Sequence, residues 1–95
     1  MMNHDARIIS RIDAAMLAYE SGEILDSARA VQRRSEAIHK ATYLGNLKHQ
    51  KVHIQLNTGA DILQVHTTIW LHYNNHIYLK GNIKVPVERI LGIHF

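Results

Sequence analysis

The chain has 95 residues, 46% of them hydrophobic, no cysteine and a formal net charge of +3. That length allows one modest core, and the lack of cysteine excludes disulfides and thiolate metal sites. No apolar run approaches the ~20 residues of a membrane span, and no secretory leader pattern opens the chain, so a cytoplasmic location is expected.

In residues 1–42 six basic residues (Arg7, Arg11, Arg29, Arg33, Arg34, Lys40) balance six acids (Asp5, Asp13, Glu20, Glu23, Asp26, Glu36). The excess positive charge therefore lies in residues 43–95, where Lys48, Lys51, Lys80, Lys84 and Arg89 oppose only Asp61 and Glu88. This suits contact with an anionic polymer without reaching the density of a dedicated basic stripe.

Asp5 to Glu20 reads as an amphipathic helix, capped by Asn3 or Asp5, with Ile8, Ile12, Ala15, Met16 and Tyr19 at helical spacing. Ser21-Gly22 supplies its stop. A second helix is expected from Glu23 to Thr42, acidic early and basic late, as the helix dipole favours. Its inner positions are Ile24, Ala28, Val31, Ser35, Ile38 and Thr42. Tyr43 to Gln50, marked by Gly45-Asn46, reads as a connector.

Five strands follow. Lys51–Leu56 alternates, with Val52, Ile54 and Leu56 on one side and His53 and Gln55 on the other. After the Asn57-Thr58-Gly59 turn, one long strand from Asp61 to Leu71 turns Leu63, Val65, Thr67, Ile69 and Leu71 inward and His66, Thr68 and Trp70 outward. Tyr73-Asn74-Asn75 is the next turn, because Asn accepts positive φ. His76–Lys80 then puts Ile77 and Leu79 inside and Tyr78 and Lys80 outside. Gly81-Asn82 is a two-residue hairpin turn, and Ile83 and Val85 point inward until Pro86, which cannot serve a central ladder. Val87-Glu88-Arg89 has the length of one 3₁₀ turn, and Ile90–Phe95 closes as the fifth strand.

Those residues carry a resemblance over roughly residues 47–95. The run Val52-His53-Ile54-Gln55-Leu56-Asn57-Thr58-Gly59, then Ile77-Tyr78-Leu79-Lys80, then Val85-Pro86-Val87-Glu88-Arg89-Ile90 resembles the Sm-like small β-barrels. It is similar to the bacterial Hfq proteins and to the Rof family, small proteins that bind a transcription terminator. The resemblance implies a strongly bent five-stranded barrel. It transfers no RNA site, since the Tyr-Lys-His of Hfq is replaced here by Val85-Pro86-Val87-Glu88.

The sharpest functional candidates are His53, His66, Trp70, His76, Tyr78, Lys80 and Lys84. Exposed aromatics offer flat surfaces for base stacking, and neighbouring lysines neutralise phosphates. The competing reading lets the helices cover this face and bury Trp70 and Tyr78 in a second core. For Arg29, Arg33, Arg34 and Lys40 a solvated helix face is favoured over a phosphate track, because Glu23, Asp26 and Glu36 are interspersed. Eight histidines raise the question of a metal. His49 and His53 straddle a connector, however, and no carboxylate or cysteine completes a site, so neither metal nor cofactor is expected. No phosphate loop, nucleophile elbow or carboxylate pair appears, so no enzyme is expected.

The expected architecture is thus α+β, with an N-terminal helical segment over residues 1–45 and a five-stranded, strongly bent antiparallel Sm-like barrel over 46–95. Its expected function is a non-catalytic binding module, contacting RNA or a nucleic-acid-handling protein through the aromatic and basic face, with homo-oligomerisation expected for so small a core. The alternative is a structural or homo-oligomerisation protein with that face buried and its edge strands paired between subunits.

Overall fold

The computed structural model describes residues 6–95. It is a mixed α+β fold of one long helix and two sheets. In chain order the elements are β1 (Arg7–Ile9), α1 (Arg11–Ala14), α2 (Ala28–Lys48), β2 (Val52–Asn57), β3 (Ile62–Thr67), β4 (Ile69–Tyr73), β5 (His76–Leu79), β6 (Ile83–Pro86), a 3₁₀ turn (Val87–Arg89) and β7 (Ile90–His94). The first sheet has the order β1-β3-β2-β7 and the second β4-β5-β6. No closed barrel forms among the described residues. No described helix is long and apolar enough to cross a membrane.

The N-terminal helix is not found. Its proposed caps Asn3 and Asp5 lie outside the described residues. Instead, β1 adds in parallel to the outer edge of β3, with Ile9 beside Val65, and Ile9 packs against the core. Ser10 then caps the single turn α1 by accepting a hydrogen bond from the Asp13 amide at 3.0 Å. Pairing with a distant strand satisfies the backbone of Arg7–Ile9, and that outweighs the helical spacing of the apolar residues. Ile8, Ile12 and Met16 consequently stay exposed. Tyr19 reaches the core, where its hydroxyl has no hydrogen-bond partner among the described residues and burial pushes its pKa up to about 12.

The second helix is displaced towards the C-terminus. Ser27 sets its start, its side chain accepting from the Ala30 amide at 3.1 Å. Glu23 and Asp26 therefore precede the helix instead of occupying its first turn. At the other end His49 turns left-handed, φ 55°, and its amide closes onto the Gly45 carbonyl. The connector proposed over Tyr43–Gln50 is helical as far as Lys48. The buried stripe is Arg34, Ile38, Ala41 and Gly45, one position off the expected seam at Ser35 and Thr42. This stripe lies on β4 and β7.

The core lies between the helix and the inner faces of both sheets. Val52, Ile54, Leu56, Val65, Ile69, Ile77, Leu79, Val85 and Ile90 are buried there with Ile38 and Ala41. Each large aliphatic contributes about 1.5–3 kcal/mol by leaving water. The expected long strand from Asp61 to Leu71 divides at the buried Thr68, so that β3 and β4 serve different sheets. Arg89, also buried, ties the turn after β2 to the loop before α2. Its Nε donates to the Asn57 carbonyl at 2.8 Å and its Nη1 to the Gly22 carbonyl at 3.0 Å.

Candidate nucleic-acid interface

One β-bulge decides which side chains face outward on the second sheet. Ile69 pairs with Leu79 but Leu71 pairs with Tyr78, leaving Trp70 as the extra residue. An extra residue reverses the alternation beyond it. Leu71, expected inside, is therefore 49% exposed, while His72 takes the inner side opposite the buried Ile77. The outer face of β4-β5-β6 then carries two cross-strand rows. Leu71, Tyr78 and Lys84 form the first, and Tyr73, His76 and Pro86 the second.

The two hairpin turns hold these rows in register. Asn74 and Asn75 both take positive φ (53° and 60°), which Asn tolerates through local side-chain hydrogen bonding. Gly81 and Asn82 do likewise in the next turn (89° and 62°), closed by the Asn82 amide on the Leu79 carbonyl. Pro86 ends β6, and the unpaired side of that edge strand needs no donor from it. Lys84 is exposed at the edge, and Lys80 is exposed just beyond β5. Neither lysine is in an ion pair among the described residues.

The seven residues singled out from sequence do not form one surface. His76, Tyr78 and Lys84 share the outer face of the second sheet, with Lys80 at its end. Trp70 sits at the bulge, half-buried, with its ring edge-on to His49 at 5.3 Å and its carbonyl accepting from Asn46 Nδ2 of α2 at 2.9 Å. Tyr78 is also half-buried, so the face is neither wholly covered by helix nor fully open. Leu71 and Tyr73, the latter 65% exposed, belong to the face and were not expected there.

His53 and His66 lie on the first sheet. They are directly paired across β2 and β3, their rings stacked at 4.0 Å and 5° from parallel, and His94 of β7 continues the row at 6.1 Å. An amide NH₂ can only donate, so Gln64 Nε2 at 3.1 Å makes His53 Nδ1 the acceptor. Parallel stacked rings aim their in-plane lone pairs along parallel planes and do not converge on one ion. Among the described residues no group of three or more His, Asp or Glu is gathered for a metal.

Two imidazoles are pushed below the ordinary value of 6.5. For His66 the cause is first lost hydration, then the charge of His53 and of Lys51. For His72 it is burial, then the charge of His39, whose ring lies edge-on at 5.4 Å. A base that binds its proton less readily when folded gives a contribution complete above its unfolded pKa. That contribution is lost as pH falls through the folded one. Thermal stability is therefore expected to drop as pH falls below about 6.5. In NMR titrations the His66 midpoint should lie below 6.5 and rise in His53→Asn. An unshifted midpoint in that variant would refute the coupling.

Comparison with known proteins gives no matching family model, no matching curated protein and no matching solved structure.

Proposed function

We propose that this chain is a small cytoplasmic binding module that holds single-stranded RNA on the outer face of β4-β5-β6. The observation that carries the reading is the pair of cross-strand rows Leu71–Tyr78–Lys84 and Tyr73–His76–Pro86, which sets two tyrosines beside an exposed lysine on one surface. Tyrosine faces accept any base by stacking, and an adjacent lysine meets the phosphate that follows. The excess positive charge of residues 43–95 points the same way.

The architecture fits an Sm-like barrel left open at one seam. In this reading β7, β2, β3, β4, β5 and β6 follow one another as the strand path. The break falls between β6 and β7, which flank the 3₁₀ turn and are not hydrogen-bonded to each other. These same edges, together with exposed Leu71 and Tyr73, support the competing reading of self-association.

The test is the anisotropy of labelled single-stranded RNA titrated with the full chain at several salt concentrations. Tyr73→Ala and Tyr78→Ala should each weaken binding about fivefold to a hundredfold, as expected for loss of ~1–3 kcal/mol per stacked base. Lys84→Gln should flatten the logarithmic salt slope by about 0.7. Affinity that ignores salt, or survives removal of both tyrosines, would rule the reading out. Concentration-dependent sedimentation abolished by the same tyrosine variants, without RNA affinity, would establish self-association instead.

A further inference from the structure

A cleft of about 300 Å³ opens between the first half of α2 and β7, away from the tyrosine-bearing sheet face. Its polar wall is Ser27, Arg29, Arg33 and Arg34, and its apolar wall includes Leu25, Leu91 and Ile93. Among the described residues no carboxylate lines it. Arg29 and Arg33 are four residues apart on the helix and so emerge on one side, one turn above the other. Both are exposed, and among the described residues neither is in an ion pair.

We infer that this cleft is a binding site for a small phosphate ester, of mononucleotide size or less. Guanidinium groups present planar forks of N–H donors that match phosphate oxygens. The Ser27 hydroxyl accepts from the Ala30 amide, which leaves its own proton to donate. Arg34 is only 4% exposed and contributes a second kind of donor. Its Nη atoms are occupied by Glu23 and Ile90, but its Nε is buried without a hydrogen-bond partner among the described residues. A buried unpaired donor is costly, and since Arg34 lines the cleft, an anion bound there would supply the negative charge this side chain favours. The side chains of Leu25, Leu91 and Ile93 offer the organic part of the ester an apolar wall. The volume stands at the lower end of the range for small-molecule sites, which limits the ligand to one phosphate and a compact group. This inference is independent of the RNA reading, because it rests on different residues on a different sheet.

The experiment is NMR titration of the full chain with adenosine 5′-monophosphate, with inorganic phosphate, and with sodium chloride at matched ionic strength. The nucleotide is expected to shift amides of residues 27–37 and 91–93 saturably and to raise the melting temperature. Inorganic phosphate should act on the same amides more weakly. Arg29→Gln/Arg33→Gln alters only exposed side chains and should keep the wild-type melting temperature while losing at least tenfold in nucleotide affinity. Shifts equal to those from chloride, unchanged affinity in that variant, or equal affinity for phosphate and nucleotide would overturn the assignment. So would binding of a 5′-phosphorylated oligonucleotide at these amides without binding of the mononucleotide. Shifts confined to residues 71–86 would also overturn it while leaving the RNA reading intact.

Discussion

Gly45→Ala is expected to lower the melting temperature by about 5–25 °C, although alanine is the better helix former by about 1 kcal/mol. Gly45 lies inside α2 where the helix crosses β4, and it is buried. A Cβ there would clash with the Ile69 carbonyl oxygen and sit 2.9 Å from Thr68 Cγ2. The nearer atom is backbone, held in the strand that pairs with β5, so it cannot swing away as a side-chain tip would. The helix has to lift instead, and lifting separates Ile38 and Ala41 from the sheet they pack on. Overpacking of this kind costs about 1–3 kcal/mol beyond what the local preference returns. For a domain this size each kcal/mol corresponds to about 4–8 °C. The same displacement pulls Asn46 from the Trp70 carbonyl, so Trp70 fluorescence should change along with the melting temperature. An unchanged or raised melting temperature would mean that the helix does not approach the strand so closely.

This glycine also shows where sequence reasoning stops. Gly45-Asn46 reads as a break because glycine lowers helix propensity, yet the position exists for its missing Cβ, and only the partner strand reveals that. The alternating runs at Val52–Leu56, Leu63–Val65 and Ile77–Leu79 were legible, since a period of two with buried aliphatics has few other outcomes. The Asn74-Asn75 turn and the 3₁₀ turn at Val87–Arg89 were legible for the same local reason, while the Gly81-Asn82 turn takes in Lys80 as a third residue because Leu79 pairs with Ile83. The strand β1 was not. Ile8, Ile12 and Met16 fit a helical stripe, and the partner that makes Arg7–Ile9 a strand lies more than fifty residues away in β3.

The bulge at Trp70 was equally hidden, because an inserted residue is defined only against the opposing strand. Its effect on the site was large. It brought Leu71 and Tyr73 to the outer face and took Leu71 out of the core. His76, Tyr78 and Lys84 share a face because they alternate on two adjacent strands joined by the short loop of Lys80, Gly81 and Asn82. The alternation alone sets His53 and His66 beside them, but the chain changes sheets at Thr68 and leaves both on the first sheet. By charge pattern Arg34 belongs to a solvated helix face, and only the fold brings Glu23, eleven positions earlier, to its buried guanidinium.

That pair gives the second large effect, and the two halves of it are expected to differ. Arg34 Nη1 donates to Glu23 Oε2 at 2.7 Å and to the Ile90 carbonyl at 3.0 Å, while Nη2 donates to Glu23 Oε1. The Arg34 side chain is 4% exposed and that of Glu23 36%. Glu23→Ala therefore leaves a buried cation with only the Ile90 carbonyl, an arrangement that costs several kcal/mol when burial is complete. Water reaching the exposed side reduces this to about 2–4 kcal/mol. Arg34→Met leaves a carboxylate that water can solvate and fills the space with an apolar chain, so its cost should be smaller, about 1–2 kcal/mol. The double variant should lose less than the sum of the two, since each single change strands the other's partner.

The same pair sets an acid limit. The hydrogen bond from Arg34 holds the Glu23 carboxyl below its ordinary value of 4.5. An acid lowered in the folded state gives its full contribution above the unfolded value and loses it as pH falls through the folded one. Urea midpoints of the wild type should therefore decline below about pH 4.5, and those of Arg34→Met should decline less over the same range. Parallel declines, or equal costs for Glu23→Ala and Arg34→Met at neutral pH, would show that this ion pair does not brace α2 against the loop that precedes it.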